Sequence, residues 1–118
     1  MFFGGIKMGW FSFIDATIIF KNAPSKDVEK EIFDIFRKLS KTQIDDIVFT
    51  DRKIDGAKKR CAEIHFSFDY NRGDMLKILD RIKTIADLEN GTYFEFSDMD
   101  DDTWSFTYKN GKYIEEGN

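Results

Sequence analysis

Hydrophobic and polar positions along this chain switch from a period of two to a helical period, and the switch occurs twice. Trp10–Lys21 reads as a strand, with Trp10, Ile14, Ala16, Ile18 and Phe20 on one face. Phe11, Phe13, Asp15, Thr17 and Ile19 fall on the other, so both faces are largely apolar, as in a central strand. The turn Asn22–Ser25 follows. Pro24 precedes Ser25, a suitable N-cap, and Asp27 and Glu29 stand in the positive first turn of a helix. Val28, Ile32, Ile35, Phe36 and Leu39 then recur at helical spacing.

The second unit repeats that order. Ala62–Tyr70 alternates cleanly, with Ala62, Ile64, Phe66, Phe68 and Tyr70 facing in and Glu63, His65, Ser67 and Asp69 facing out. Asn71–Asp74 opens a second helix over Met75–Leu88, with Met75, Ile78, Leu79, Ile82 and Ala86 as its buried stripe and Asn90-Gly91 as its cap. Another strand, Asp46–Lys53, lies between the units and turns at Asp55-Gly56. Thr92–Ser97 and Thr103–Lys109 follow, and Asn110-Gly111 leads into a short last strand, Lys112–Glu115. In its first six elements this order resembles the ferredoxin-like βαββαβ fold. The resemblance implies an α+β domain, an antiparallel sheet with two helices on one face, here extended by a C-terminal β-hairpin. One domain is expected over 1–118, made of a loose N-terminal extension (1–9), a βαββαβ core (10–97) and an acidic, aromatic hairpin (98–118). Met8 is an alternative start.

Composition adds little to the class but something to the setting. A chain of 118 residues buries roughly two-thirds of its unfolded surface, and its 13 Phe supply large core groups without crosslinks. The single cysteine, Cys61, excludes an internal disulfide and suits a reducing, cytoplasmic location. No window approaches the ~20 apolar residues of a membrane span, and Met1–Trp10 lacks the basic and apolar regions of a signal peptide.

Charge changes the picture more. Residues 1–60 carry 12 Lys/Arg against 9 Asp/Glu, whereas residues 61–118 carry 6 against 13. Residues 91–118 alone hold 2 basic and 7 acidic groups, so the C-terminal third is an acidic pole. Its centre is Asp98, Asp100, Asp101 and Asp102, with Glu95 upstream. Asp98, Asp100 and Asp102 have the opening spacing of a calcium loop, but the sixth position is Thr103 rather than Gly and the twelfth is Lys109 rather than Glu. A solvated turn and a patch for a basic partner are the other two readings, and mutual repulsion among four carboxylates favours a functional use.

The aromatic series Tyr93, Phe94, Phe96, Trp104, Phe106, Tyr108 and Tyr113 shares strand faces by period two. Packing inside the sheet explains it; a hairpin added beyond two helices would instead leave part of it uncovered, as at interfaces. Arg52, Lys53, Lys58, Lys59 and Arg60 surround the Asp55-Gly56 turn and suit either nucleic acid or a solubilising edge. The outward side of the third strand, Glu63, His65, Ser67 and Asp69, opposes an RNA-recognition surface. His65 is the sole histidine, which removes a His-pair metal site, and its face offers no converging triad. Cys61 follows Lys58–Arg60, whose charges would lower its thiol pKa. No glycine-rich phosphate loop exists.

These features predict a non-enzymatic protein-binding module with no catalytic residue, cofactor or metal. Its partner is expected to be a protein with a basic surface, met by Glu95, Asp98, Asp100, Asp101, Asp102, Trp104, Tyr108 and Tyr113. In size, charge and absent catalytic groups the chain is similar to toxin-immunity proteins and to phage inhibitors of defence nucleases such as anti-CRISPR proteins, an analogy of class. A small-molecule or enzymatic domain and nucleic-acid binding through Arg52–Arg60 are the alternatives.

Overall fold

The computed structural model describes residues 10–39, 47–98 and 102–117, the side chains of 10–12, 39, 66–72 and 117 excepted. The expected extension 1–9 and Asp100 and Asp101 lie outside the described residues. The expected facings of Trp10, Phe11, Phe66, Ser67, Phe68, Asp69 and Tyr70 lie outside the described side chains. The elements run β1 (Trp10–Ile19), α1 (Lys26–Leu39), β2 (Ile47–Ile54), β3 (Ala57–Asn71), α2 (Arg72–Ile85), β4 (Tyr93–Ser97), β5 (Thr103–Lys109) and β6 (Lys112–Gly117).

Six strands form one antiparallel sheet in the order β2-β3-β1-β4-β5-β6. The chain is therefore α+β, as its hydrophobic pattern predicts. Each helix connects strands that are not neighbours: β1 and β2 have β3 between them, and β3 and β4 have β1 between them. That places β1 at the centre. Ile14, Ala16, Ile18 and Phe20 from β1 and its end join Ala62, Ile64, Phe94, Phe96 and Phe106 from the other strands in one buried cluster. Ile32 and Phe36 of α1 and Met75, Ile78, Leu79 and Ile82 of α2 complete it. Both helices thus cover the same face of the sheet.

Helix α1 begins as its sequence indicates. Ser25 Oγ accepts from the Val28 amide at 3.2 Å, and the Ser25 carbonyl accepts from the Glu29 amide at 3.0 Å. Ser25→Ala is expected to cost about 1 kcal/mol, about 4 °C in melting temperature, and a thermal melt followed by circular dichroism checks it.

Several boundaries differ from expectation. β1 ends at Ile19 rather than Lys21, α2 begins at Arg72 rather than Met75 and β6 reaches Gly117 rather than Glu115. The start of β3, the end of α2 and its expected cap differ for local reasons. Strand β3 starts at Ala57, not Ala62, because Asp55 (φ 52°) and Gly56 (φ 81°) both take positive φ. That two-residue turn matches the strand twist, so pairing resumes at once with Ile54 opposite Ala57. Helix α2 spans Arg72–Ile85 rather than reaching Leu88. Leu88 is buried as an extended residue bridged to Phe20, which satisfies the apolar position without a further helical turn. Asn90-Gly91 is consequently not a helix cap but the bend entering β4, where Gly91 has φ 96°. Asn90 Oδ1 accepts from the Asn110 amide at 2.9 Å, which ties that bend to the β5–β6 turn.

Candidate functional site

Of the eight residues expected to meet a partner, the six that are described do not share one face of the sheet. Trp104, Tyr108 and Tyr113 are half-buried and pack against the core cluster on the helix-covered face. Phe94 stands beside Phe96 at 6.3 Å and meets Tyr113 edge-on at 6.0 Å, while Phe96 meets Phe106 edge-on at 6.0 Å. Tyr113 Oη donates to the Leu79 carbonyl at 2.9 Å. Burial pushes the Tyr113 phenol well above its ordinary range, with Tyr108 and Asp80 acting the same way. The aromatic face of the added hairpin is therefore packed against the core and α2, the first of the two readings of that series, with Trp104, Tyr108 and Tyr113 partly exposed at its edge. Period-two spacing identifies the shared faces but not the reach of α2.

Glu95 lies on the other face, which carries neither of the two described helices and is called the helix-free face below, opposite Asp15 of β1. Asp98 and Asp102 close the β4–β5 turn: the Asp98 amide donates to the Asp102 carbonyl, and the Asp102 amide donates to Asp98 Oδ1, each at 3.0 Å. The Asp98 carboxylate thus serves its own turn, whereas Asp102 is exposed. Among the described residues, no group of three His, Cys, Asp or Glu could hold a metal ion.

Register places the helix-free face in rows across the strands. His65, Asp15, Glu95, Ser105 and Glu116 follow one another from β3 to β6. His65 Nδ1 lies 2.6 Å from Asp15 Oδ1. Tyr93, one row away, donates to Glu95 Oε2 at 3.4 Å, and desolvation raises its phenol pKa against the opposing bond to Ser105. The alternation of each strand puts these residues outward, but their adjacency needs the strand order, which no single segment encodes.

The basic cluster is largely consumed within the molecule. Arg60 Nε and Nη2 reach the two oxygens of Glu29 at 2.8 and 3.3 Å, and Nη1 lies 3.4 Å from Asp51. The bond to Glu29 leads the causes that raise the Arg60 pKa. Lys58 pairs with Asp51 at 3.7 Å, Arg52 with Glu63 at 3.5 Å and Lys59 with Glu89 at 3.2 Å. The Lys59 hydrogen bond in turn lowers the Glu89 pKa. Cys61 corrects a further expectation. It is fully buried, and desolvation raises its thiol pKa in spite of Arg52 and Arg60, so the neighbouring cations do not activate it.

Concavities lined by described residues include a groove of about 520 Å³ between α1 and α2, floored by Ile35 and Ile78 and bounded by the Glu31–Arg81 ion pair. Another, about 270 Å³, lies between α2 and β6 beside Leu76 and Tyr113. Neither is lined by His65 or Cys61. No described helix is long and apolar enough to cross a membrane. No protein-family model, no curated protein and no solved structure matches this chain, so its chemistry rests on its own residues.

Proposed function

We propose that this protein is a small, acidic, non-enzymatic binding module that occupies a basic surface of a partner protein, of the kind that otherwise holds nucleic acid. The observation that carries this is the unequal use of charge across the fold. On the β2–β3 hairpin, Arg52, Lys58, Lys59 and Arg60 all meet carboxylates of this same chain. Residues 91–118, in contrast, hold 7 acidic against 2 basic groups on the β4–β5 turn and the last strands. Surplus negative charge steers cationic partners and disfavours nucleic acid. An inhibitor or immunity-type role in the cytoplasm, neutralising a toxin or a nucleic-acid-binding defence protein, fits that charge and size. The order β2-β3-β1-β4 supports taking the first six elements as a ferredoxin-like scaffold, with β5 and β6 added beside β4.

Asp100→Asn/Asp101→Asn/Asp102→Asn is expected to weaken binding of the captured partner about tenfold at low salt and to flatten its salt dependence. Affinity capture from host extract, followed by a titration of the identified partner across a salt series, measures both. Unchanged affinity and slope would remove the acidic pole from the mechanism. The α1–α2 groove favours one alternative, a small-molecule-binding domain. A metabolite that raises the melting temperature, and loses that effect in Lys77→Ala, an exposed residue of the groove wall, would favour it.

A further inference from the structure

We infer that the partner contacts the helix-free face of the sheet, and that what docks there is a lysine- or arginine-bearing amphipathic helix laid across the strands; this rests on the binding-module function proposed above. The five large hydrophobic side chains that stand exposed among the described residues are Phe13, Val48, Leu76, Tyr93 and Ile114. Four of them, all but Leu76 on α2, belong to this face. Phe13 and Ile114 are each 48% exposed, in a sheet whose opposite face is packed by two helices. Scattered apolar residues need no explanation, but these share one surface with an ordered row of carboxylates.

That row is His65–Asp15–Glu95–Ser105–Glu116. Asp15 and Glu95 are direct cross-strand partners in the middle of the sheet. Like charges so placed destabilise an antiparallel pair, and Thr or Ser would serve the fold better at either position. On one side of the row lie Thr17, Tyr93, Thr107 and Ile114, in register across β1, β4, β5 and β6. On the other side lie Phe13, Ser97 and Thr103. Acidic groups thus run between rows of mixed hydroxyl and apolar side chains, with Phe13 on one side and Tyr93 and Ile114 on the other.

Charge complementarity selects the occupant. Beside the row, His65 is engaged on Asp15, and Arg52 on Glu63 at the β2 margin. A second copy would bring two carboxylate rows together, and nucleic acid would meet them with phosphates. A helix instead offers cations at i, i+3 and i+4 about 5–6 Å apart, close to the ~4.8 Å step between strands. Its apolar positions would rest on Phe13, Tyr93 and Ile114.

The test titrates a synthetic amphipathic Lys/Leu helix into isotopically labelled protein and follows backbone amide shifts. Saturable shifts at Asp15, Thr17, Tyr93, Glu95, Ser105 and Glu116 are expected. The D15N/E95Q variant should bind about tenfold more weakly at low salt, and its melting curve checks that it remains folded. The Asp100/Asp101/Asp102 triple variant should keep most of its affinity for this peptide. If the triple variant loses the peptide while D15N/E95Q keeps it, the face is wrong and the acidic module stands. Absence of saturable shifts up to about 1 mM peptide overturns the docking face, while partner capture and its salt slope judge the module separately. A dimer by light scattering, with concentration-dependent amide shifts at these same residues, also overturns it.

Discussion

Phe94→Ala is expected to remove about 3–5 kcal/mol of unfolding free energy, a large fraction of the ~5–15 kcal/mol that holds a domain of this kind. Phe94 is fully buried, and its β1 neighbour across the sheet is Ala16, a small residue that leaves room for the ring. Phe96 lies beside it and Tyr113 meets it edge-on. Truncation therefore loses the transfer energy of a buried ring and opens a cavity that Ala16 cannot fill. Urea unfolding followed by tryptophan fluorescence should show a lower midpoint with an unchanged slope. Val48→Ala, at a side chain 54% exposed on the opposite face, should stay within about 0.5 kcal/mol and serves as the control. A Phe94→Ala loss below about 1 kcal/mol would mean that this part of the sheet is not a shared core.

The same ring shows where sequence patterns stop. Alternation puts Phe94 and Phe96 on one side of their strand and Trp104, Phe106 and Tyr108 on one side of theirs, and the structure keeps both pairings. The strand and helix of each unit are legible, and Ser25 caps α1 as its position indicates, but Asn71–Asp74 is no turn: β3 runs to Asn71 and α2 begins at Arg72. Asp55-Gly56 and Asn110-Gly111 supply the positive φ their hairpins need. Pattern alone could not tell whether the added hairpin hangs free or packs under α2. That depends on Tyr113 reaching the Leu79 carbonyl, 34 residues away in the chain.

Charge behaves the same way. The basic residues around Asp55-Gly56 look like a nucleic-acid patch in a linear reading, and only the fold brings Glu29, Glu63 and Glu89 to them. Conversely, Asp15 and Glu95 draw no notice in separate segments, yet become opposed carboxylates when β4 docks on β1. Non-local pairing thus sets these two carboxylates side by side in the middle of the sheet, apart from the β4–β5 turn.

Thr92→Val should cost about 2 kcal/mol, although it preserves the shape of the side chain and adds no charge. Thr92 is fully buried, and Oγ1 both accepts from the Ile19 amide at 2.9 Å and donates to the Ile19 carbonyl at 3.0 Å. The β1–β4 ladder ends one step earlier, at Thr17 opposite Tyr93, so the hydroxyl completes what the main chain leaves open. The Thr92 backbone is committed elsewhere, its carbonyl accepting from Tyr108 at 2.8 Å and its amide donating to Glu89 at 3.2 Å. Valine leaves the Ile19 carbonyl its other donor, the Glu89 amide at 2.8 Å, but removes the acceptor that faces the Ile19 amide. An amide buried without a partner carries its full desolvation penalty, which is why the loss exceeds that of an ordinary hydrogen bond. Thr92→Ser keeps the hydroxyl and should retain most of the stability. Hydrogen exchange at Ile19 should accelerate in Thr92→Val beyond the change at core amides, and equal unfolding energies for Val and Thr would show that the hydroxyl does not close the ladder.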